Sequence, residues 1–413
     1  MRRHETNWAA AAAAAALLAF SFYAVVTWLE QGQLADVPLY QHYAGLMRGG
    51  AVPYRDFRFE YPPAALPAML LPEYMSWSYA TSFAVLMGVC GGACIAAAAS
   101  ALGAVGASAE RTWIGLLAIG ASPLVLGSLF PTRFDLWPTL LALGALAAVV
   151  RERPLLSGAL LGLGFAAKLW PAVLLPIAVV HLWRRRGRAG AFAAVASFVA
   201  AAAACFLPFA VLAPDGLRAM FADQLGRPLQ VESLGAAVLM ALQHLGMRPL
   251  TTITSHGAQA LSGRGAALAA DLSSALEIAA VVAVWIVFAR RRDEDGEAAL
   301  LAAAAAVCAL VAFDRVLSPQ YLIWLVPFVL LVRGGHGVVA GGLLFLALGL
   351  TQTWFPWHYF TLAIDHAAPW SWYLLARDLA LVALAGVLLF ELSRERGFAG
   401  RRGDWPAARR AAA

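Results

Sequence analysis

Long apolar runs, each closed by charged or helix-breaking residues, constrain this chain more than any other feature. The runs 78–106, 189–212, 268–289 and 298–313 carry at most two Asp, Glu, Lys or Arg side chains each. Each is close to or above the roughly 20 residues that an α-helix needs to cross a hydrocarbon core. In that core the backbone must satisfy its own hydrogen bonds, which a helix does within one segment. Composition agrees. Of 413 residues, 62% are hydrophobic and 13% are charged, where soluble domains carry about 25% charged residues. A water-soluble fold and a disordered chain are both excluded.

The pattern predicts an all-α polytopic membrane protein of about 12 transmembrane helices with long extracytoplasmic loops. The expected spans are roughly 9–29, 78–106, 112–130, 135–150, 154–168, 170–183, 189–212, 268–289, 298–313, 319–332, 338–354 and 370–390. Those within 135–183 are short and are expected to tilt or to cross where the bilayer is thin. The segment 234–247 is too short to span and reads as interfacial. The domain expectation is one transmembrane module, 1–390, with outer loops 30–77 and 213–267, followed by an Arg-rich cytoplasmic tail, 391–413. The basic start followed by the run 9–29 resembles a signal peptide, but the many later spans favour a retained first helix.

Among 30 basic residues only Lys168 is a lysine, against 24 acidic residues. That skew reflects coding bias rather than nucleic-acid binding. Cys90, Cys94, Cys205 and Cys308 all lie inside apolar runs, so neither a disulfide nor a metal framework is expected. Placing the N-terminus in the cytoplasm puts nineteen of the thirty basic residues inside, including the compact clusters Arg184–Arg188 and Arg290–Arg292. Both termini are then cytoplasmic, in a plasma membrane.

The chemistry collects on the outer side. Asp36 follows the first span, with Tyr40 one helical turn on. Its carboxylate could accept a proton from a sugar hydroxyl, or it could cap the helix that Pro38 begins. In Tyr54–Pro63, the charges Arg55, Asp56, Arg58 and Glu60 fit a sugar- or phosphate-binding surface, and equally a salt-bridged loop. Arg133 and Asp135 occupy a turn at the outer face. Lys168 ends an apolar helix, where it could contact a phosphate or snorkel to lipid headgroups. Arg315 breaks an apolar run. Ser318-Pro319 suits a helix start with Ser as the cap, which points Gln320 and Tyr321 toward an outer cavity. His358 lies in an aromatic last loop, and it is not spaced with Asp365 and His366 as a metal site. On the cytoplasmic side there is no phosphate-binding Gly-rich loop and no dinucleotide fingerprint.

Taken in order, Asp36, Leu39-Tyr40, Gly49…Pro53-Tyr54…Glu60-Tyr61-Pro62-Pro63, Asp135, Gly158…Lys168…Pro171 and Ser318-Pro319-Gln320-Tyr321…Trp324…Pro327 resemble glycosyltransferase family 87. That family holds polyprenyl-phosphate-dependent mannosyltransferases and related arabinofuranosyltransferases of the GT-C superfamily. The resemblance implies a multi-pass GT-C fold in a bacterial plasma membrane, acting at the extracytoplasmic face. It implies a polyprenyl phosphate sugar donor, mannose first, and a lipid-linked or envelope glycan acceptor, with inversion at the anomeric carbon. Asp36 maps onto the family's catalytic base. Tyr40, Arg55, Arg58, Glu60, Arg133, Asp135, Lys168, Arg315, Gln320, Tyr321 and His358 are the expected substrate and phosphate contacts. No metal cofactor and no nucleic acid are expected, and the protein is expected to be a monomer in membrane lipid. A transporter or flippase of lipid-linked sugars would instead need charges at both ends and at the midplane of a pathway. A noncatalytic partner in envelope assembly would tolerate loss of Asp36.

Overall fold

The computed structural model describes residues 2–28, 35–247, 249–292 and 295–394, with side chains from residue 7 onward. Most of the expected Arg-rich tail, from residue 395, and the loop residues 29–34 lie outside the described residues.

Among the described residues, seven helical stretches are long and apolar enough to cross a membrane. They are Asn7–Thr27, Tyr79–Ala104, Trp170–Leu212, Arg264–Arg290, Gly296–Phe313, Gly334–Trp354 and Ala368–Ser393. The protein is therefore a multi-pass membrane protein. Seven is fewer than the expected twelve or so, for two physical reasons. First, the expected spans 170–183 and 189–212 form a single stretch, bent at Gly187 (φ 68°, ψ −169°) inside the arginine cluster. A left-handed φ is cheap only for glycine. Second, other expected spans fall short of crossing length. Leu136–Val150 has 15 residues, Pro154–Ala167 has 14, and Ala109–Ala121 has 13 before the chain breaks at Pro123 and Gly127. The run from Pro319 starts as a 3-10 turn and continues as the eight-residue helix Leu322–Val329.

Gly296–Phe313 forms the centre of the bundle, with 78% of its length buried. Its alanine-rich face lets neighbouring backbones approach closely, which replaces the missing hydrophobic driving force between helices in lipid. Asp295 caps its start by accepting from Ala298 N at 2.9 Å. Small residues serve a second contact in the same way. Gly158 and Gly162 of Pro154–Ala167 lie against the backbone after Gly187, and a Cβ at Gly158 would come 2.0 Å from the Ala194 carbonyl oxygen.

Ion pairs lace one end of the bundle. Arg111 pairs with Glu297, Arg333 with Asp295 at 3.5 Å, Arg185 with Glu152 at 2.6 Å, and His336 with Glu391 at 2.9 Å. These are the turns that the arginine bias assigns to one side. Glu297 opens the central helix and Asp314 follows its last residue. Eighteen residues at 1.5 Å each separate the two ends by about 27 Å.

The far end carries the irregular structure. It comprises helix Val37–Arg48, the loop through Pro63, helices Pro214–Leu225 and Leu234–His244, and a hairpin. The hairpin pairs β1 (Thr251–Ser255) with β2 (Ala258–Ser262), antiparallel, with Thr251 opposite Ser262. Its turn residues His256 and Gly257 have φ of 50° and 71°, the double left-handed geometry that matches strand twist in a two-residue turn. It is the only sheet among the described residues, in a chain otherwise built of helices.

Candidate active site

A cavity of about 1040 Å³ opens among these irregular segments. Asp36, Glu60, Arg133, Lys168, Arg315, Gln320 and Tyr321 line it, so seven of the twelve expected residues meet although they are spread over more than 280 positions.

Asp36 precedes Val37-Pro38, and its side chain makes no capping hydrogen bond. The carboxylate faces other partners instead. Oδ1 pairs with the guanidinium of Arg133, and Oδ2 accepts from the Tyr40 hydroxyl at 3.2 Å. Tyr40 is fully buried behind it, with ring centroids 5.2 Å from Phe83, 5.8 Å from Phe134 and 6.0 Å from Tyr61. That packing fixes the hydroxyl, and burial raises its pKa well above the usual phenol value. Tyr40 thus donates to Asp36 from outside the cavity lining. Arg133 reaches Asp36 because the chain turns extended at Arg133 (φ −119°, ψ 136°) after the short helix Leu129–Thr132.

Lys168 leaves its helix in an extended conformation (φ −158°, ψ 137°) and turns inward, away from lipid. Its Nζ donates to Asp135 Oδ1 at 2.6 Å and lies 5.0–5.1 Å from the ring centroids of Phe134, Tyr321 and Trp324. The same Asp135 oxygen accepts from Trp324 Nε1 at 2.6 Å. Asp135 is fully buried and stands behind the cavity wall as the anchor of these two groups. Tyr321, Trp324 and Trp170 stack in series, with centroids 4.0 and 4.9 Å apart.

The charged loop 54–63 divides in two. Arg55 pairs with its neighbour Asp56 at 2.8 Å, and Arg58 donates to Asp223 at 3.0 Å; both arginines are exposed and outside the cavity lining. This part of the loop is salt-bridged surface, so Arg55 and Arg58 do not join the site as expected. Each is already held by a carboxylate at the surface. Glu60 at the other end does reach the cavity. It accepts from Tyr43 at 3.3 Å and pairs with Arg227 at 3.4 Å, and burial raises its pKa.

His358 is also outside the lining. It stacks on Trp370 at 4.0 Å, and its neighbour Tyr359 faces the cavity instead. Ser318 makes no side-chain capping bond; its carbonyl closes the 3-10 turn by accepting from Tyr321 N at 2.9 Å. Arg315 lines the cavity while its guanidinium donates to the Leu225 carbonyl. Asp314 beside it accepts from Val316 N at 2.8 Å, and burial raises its carboxyl.

Sequence reasoning did not select Arg227, Gln230, Glu232, His256 or Glu277, all of which line the cavity. The length of the outer loop 213–267 flagged the region of the first four but no residue within it. Glu277 carried its own signal, a carboxyl inside the apolar run 268–289. Among the described residues no group of three His, Cys, Asp or Glu could hold a metal ion.

The cavity therefore offers a positioned carboxylate, four cations (Arg133, Lys168, Arg227 and Arg315) and an aromatic wall. This set suits proton abstraction from a hydroxyl and neutralisation of a phosphate. No curated protein matches the chain. A family model described as glycosyltransferase family 87 matches residues 59–319. The match includes Glu60, Arg133, Asp135, Lys168, Arg227 and Arg315, while Asp36 and Tyr40 precede it and Gln320 and Tyr321 follow it. Because the match covers more than half of the sequence, the chain belongs to glycosyltransferase family 87, of the GT-C superfamily.

Proposed function

We propose that this glycosyltransferase moves a sugar, mannose first, from a polyprenyl phosphate to a lipid-linked or envelope glycan acceptor at the extracytoplasmic face, with inversion. The observation that carries this reading is the Asp36 carboxylate, held by Arg133 and Tyr40, in one cavity with Lys168, Arg227 and Arg315. Each carboxylate oxygen has a second lone pair beyond its present bond. Asp36 takes the proton of an acceptor hydroxyl as that oxygen attacks the anomeric carbon. The bond from that carbon to the phosphate oxygen breaks, and its electron pair leaves on the polyprenyl phosphate. Lys168, Arg227 and Arg315 meet the charge that develops there, where fixed charges act most strongly. The stack Tyr321–Trp324–Trp170 offers a ring face to the sugar.

The reading includes about twelve crossings. The four shorter apolar runs (109–132, Leu136–Val150, Pro154–Ala167 and Pro319–Val329) cross as well, and Trp170–Leu212 crosses twice about Gly187. Both termini are then cytoplasmic and the cavity is external. The test is transfer in reconstituted membranes from a panel of polyprenyl phosphate sugars. Transfer from at least one donor by the wild-type protein, lost in Asp36→Asn, is expected. No transfer from any of them by well-folded protein would overturn the donor assignment.

A further inference from the structure

The cavity has two unlike sides. The first holds the four cations and Asp36. The second is built from the strand-like segment 229–232, the hairpin tip and the residues around Tyr359, and none of its lining residues is Arg or Lys. It presents Gln230, Glu232, His256, Gln259 and Tyr359.

This second side is unusually well fixed. Leu261 N donates to the Leu229 carbonyl at 2.8 Å and Val231 N to the Gln259 carbonyl at 3.1 Å, so segment 229–232 lies along β2 as a partial third strand. Gln230 N donates to the Arg315 carbonyl at 2.9 Å, which ties this side to the cationic one. The Glu232 carbonyl accepts from the fully buried Arg377 at 2.6 Å, and Ser233 directly after it caps Leu234–His244.

Glu232 itself is 2% exposed, and its Oε2 has no hydrogen-bond partner among the described residues. Glu232 nevertheless belongs to the cavity lining, so a hydroxyl bound there is placed to supply the donor that this buried carboxyl lacks within the chain. Burial pushes this carboxyl up to about 7, against the opposing influence of the neighbouring Gln230, Arg377 and Tyr359 side chains. Arg133, the partner of Asp36, is among the charges that act on the Tyr359 hydroxyl, so this wall lies near the proposed base.

We infer that this wall is the acceptor subsite, and that the part of the acceptor it holds is an uncharged saccharide bound through its hydroxyls, with Glu232 as the principal acceptor of their hydrogen bonds. A phosphate bound here would face the Glu232 carboxylate across a wall to which no Arg or Lys side chain contributes. Side-chain amides both donate and accept, as vicinal hydroxyls require. The ring of Tyr359 adds an apolar face for sugar C–H groups. The inference rests on the transferase reading above, and its test is separable from that reading.

The test is binding of octyl glycosides of mannose, glucose and galactose to the full chain in nanodiscs, by isothermal titration without donor. Decaprenyl phosphate is titrated in parallel. At least one glycoside is expected to bind wild-type protein, and Glu232→Ala is expected to weaken it at least about tenfold. Decaprenyl phosphate affinity is expected to stay within about twofold, since Glu232 does not touch the cationic side. Glu232→Gln and Tyr359→Phe keep the side-chain volume and guard against misfolding of the alanine variant. Each is expected to weaken the glycoside about threefold or more. Absence of glycoside binding by wild type, unchanged affinity in these variants, or an equal loss for decaprenyl phosphate would overturn the assignment. Glycoside binding that depends on Glu232, without transfer from any polyprenyl phosphate sugar, would uphold the subsite and count against the donor.

Discussion

Asp36→Asn replaces one carboxylate oxygen by an amide and removes a charge while leaving the side chain's shape intact. The structure separates two consequences. The chemical one is loss of the base, worth about 10²–10⁴ in rate, or roughly 2.7–5.4 kcal/mol of barrier. The structural one is loss of the counter-charge to Arg133, whose side chain is 9% exposed. Breaking a fully buried pair costs about 3–5 kcal/mol. Asp36 is 31% exposed, and the Asn oxygen can still accept from Tyr40 or Arg133, so about 1–2 kcal/mol of stability is expected. The variant should therefore insert and fold, bind donor, and transfer sugar at least about 100-fold more slowly. The assay is initial transfer rate in proteoliposomes at matched folded protein, with donor binding and thermal stability measured beside it. A near-normal rate would refute Asp36 as the base and move attention to Glu60 and Glu232. Loss of donor binding together with rate would place Asp36 in substrate positioning instead.

Lys168→Ala and Arg315→Ala are each expected to lower turnover more than donor affinity, because the charge they meet grows in the transition state; full turnover in both would reject them as phosphate contacts. Arg55→Ala and Arg58→Ala should each retain transfer within about threefold, since both are exposed and engaged with Asp56 and Asp223; a collapse in either rate would place the loop tip on the substrate path. Gly158→Ala should lower thermal stability by several degrees, as its Cβ would come 2.0 Å from the Ala194 carbonyl oxygen; an unchanged melting curve would mean that the two helices part freely. Cysteines introduced singly at Phe57 and at Arg188, beside the Gly187 bend, should label from outside at 57 only, and labelling at 188 first would reverse the orientation.

Much of the fold was legible because lipid imposes a one-dimensional rule. Apolar runs become helices, and the expected runs fall on observed helices from the first to Ala368–Ser393. The rule does not say whether a 14-residue helix crosses, nor that Gly187 lets two helices read as one. Asp36 and Tyr40 were legible as a pair because their spacing is one helical turn. Lys168 stood out as an ionisable group at the end of an apolar helix. The partners that give these residues meaning were not legible. Arg133 is 97 positions from Asp36, and Trp324 is 189 from Asp135. Arg58 looked like a phosphate ligand because its partner, Asp223, is 165 residues away. Glu232 gave no sign, since its burial depends on a hairpin pairing with segment 229–232 that no periodicity announces.

The cage around Lys168 bears on which cation this position can hold. The chain uses arginine at every basic position but one among thirty, and the exception is residue 168. Three ring centroids 5.0–5.1 Å from Nζ, with a carboxylate oxygen 2.6 Å away, enclose a space for a compact ammonium. A guanidinium is wide, planar and directs its donors in one plane. To keep the contact with Asp135 among these rings, it would crowd the Trp324 bond to Asp135 and the Tyr321 stack. The single lysine thus stands where the surrounding rings suit an ammonium better than a guanidinium. Lys168→Arg, conservative on paper, should disturb the stack more than the smaller Lys168→Met, which the fluorescence of Trp324 and Trp170 would register.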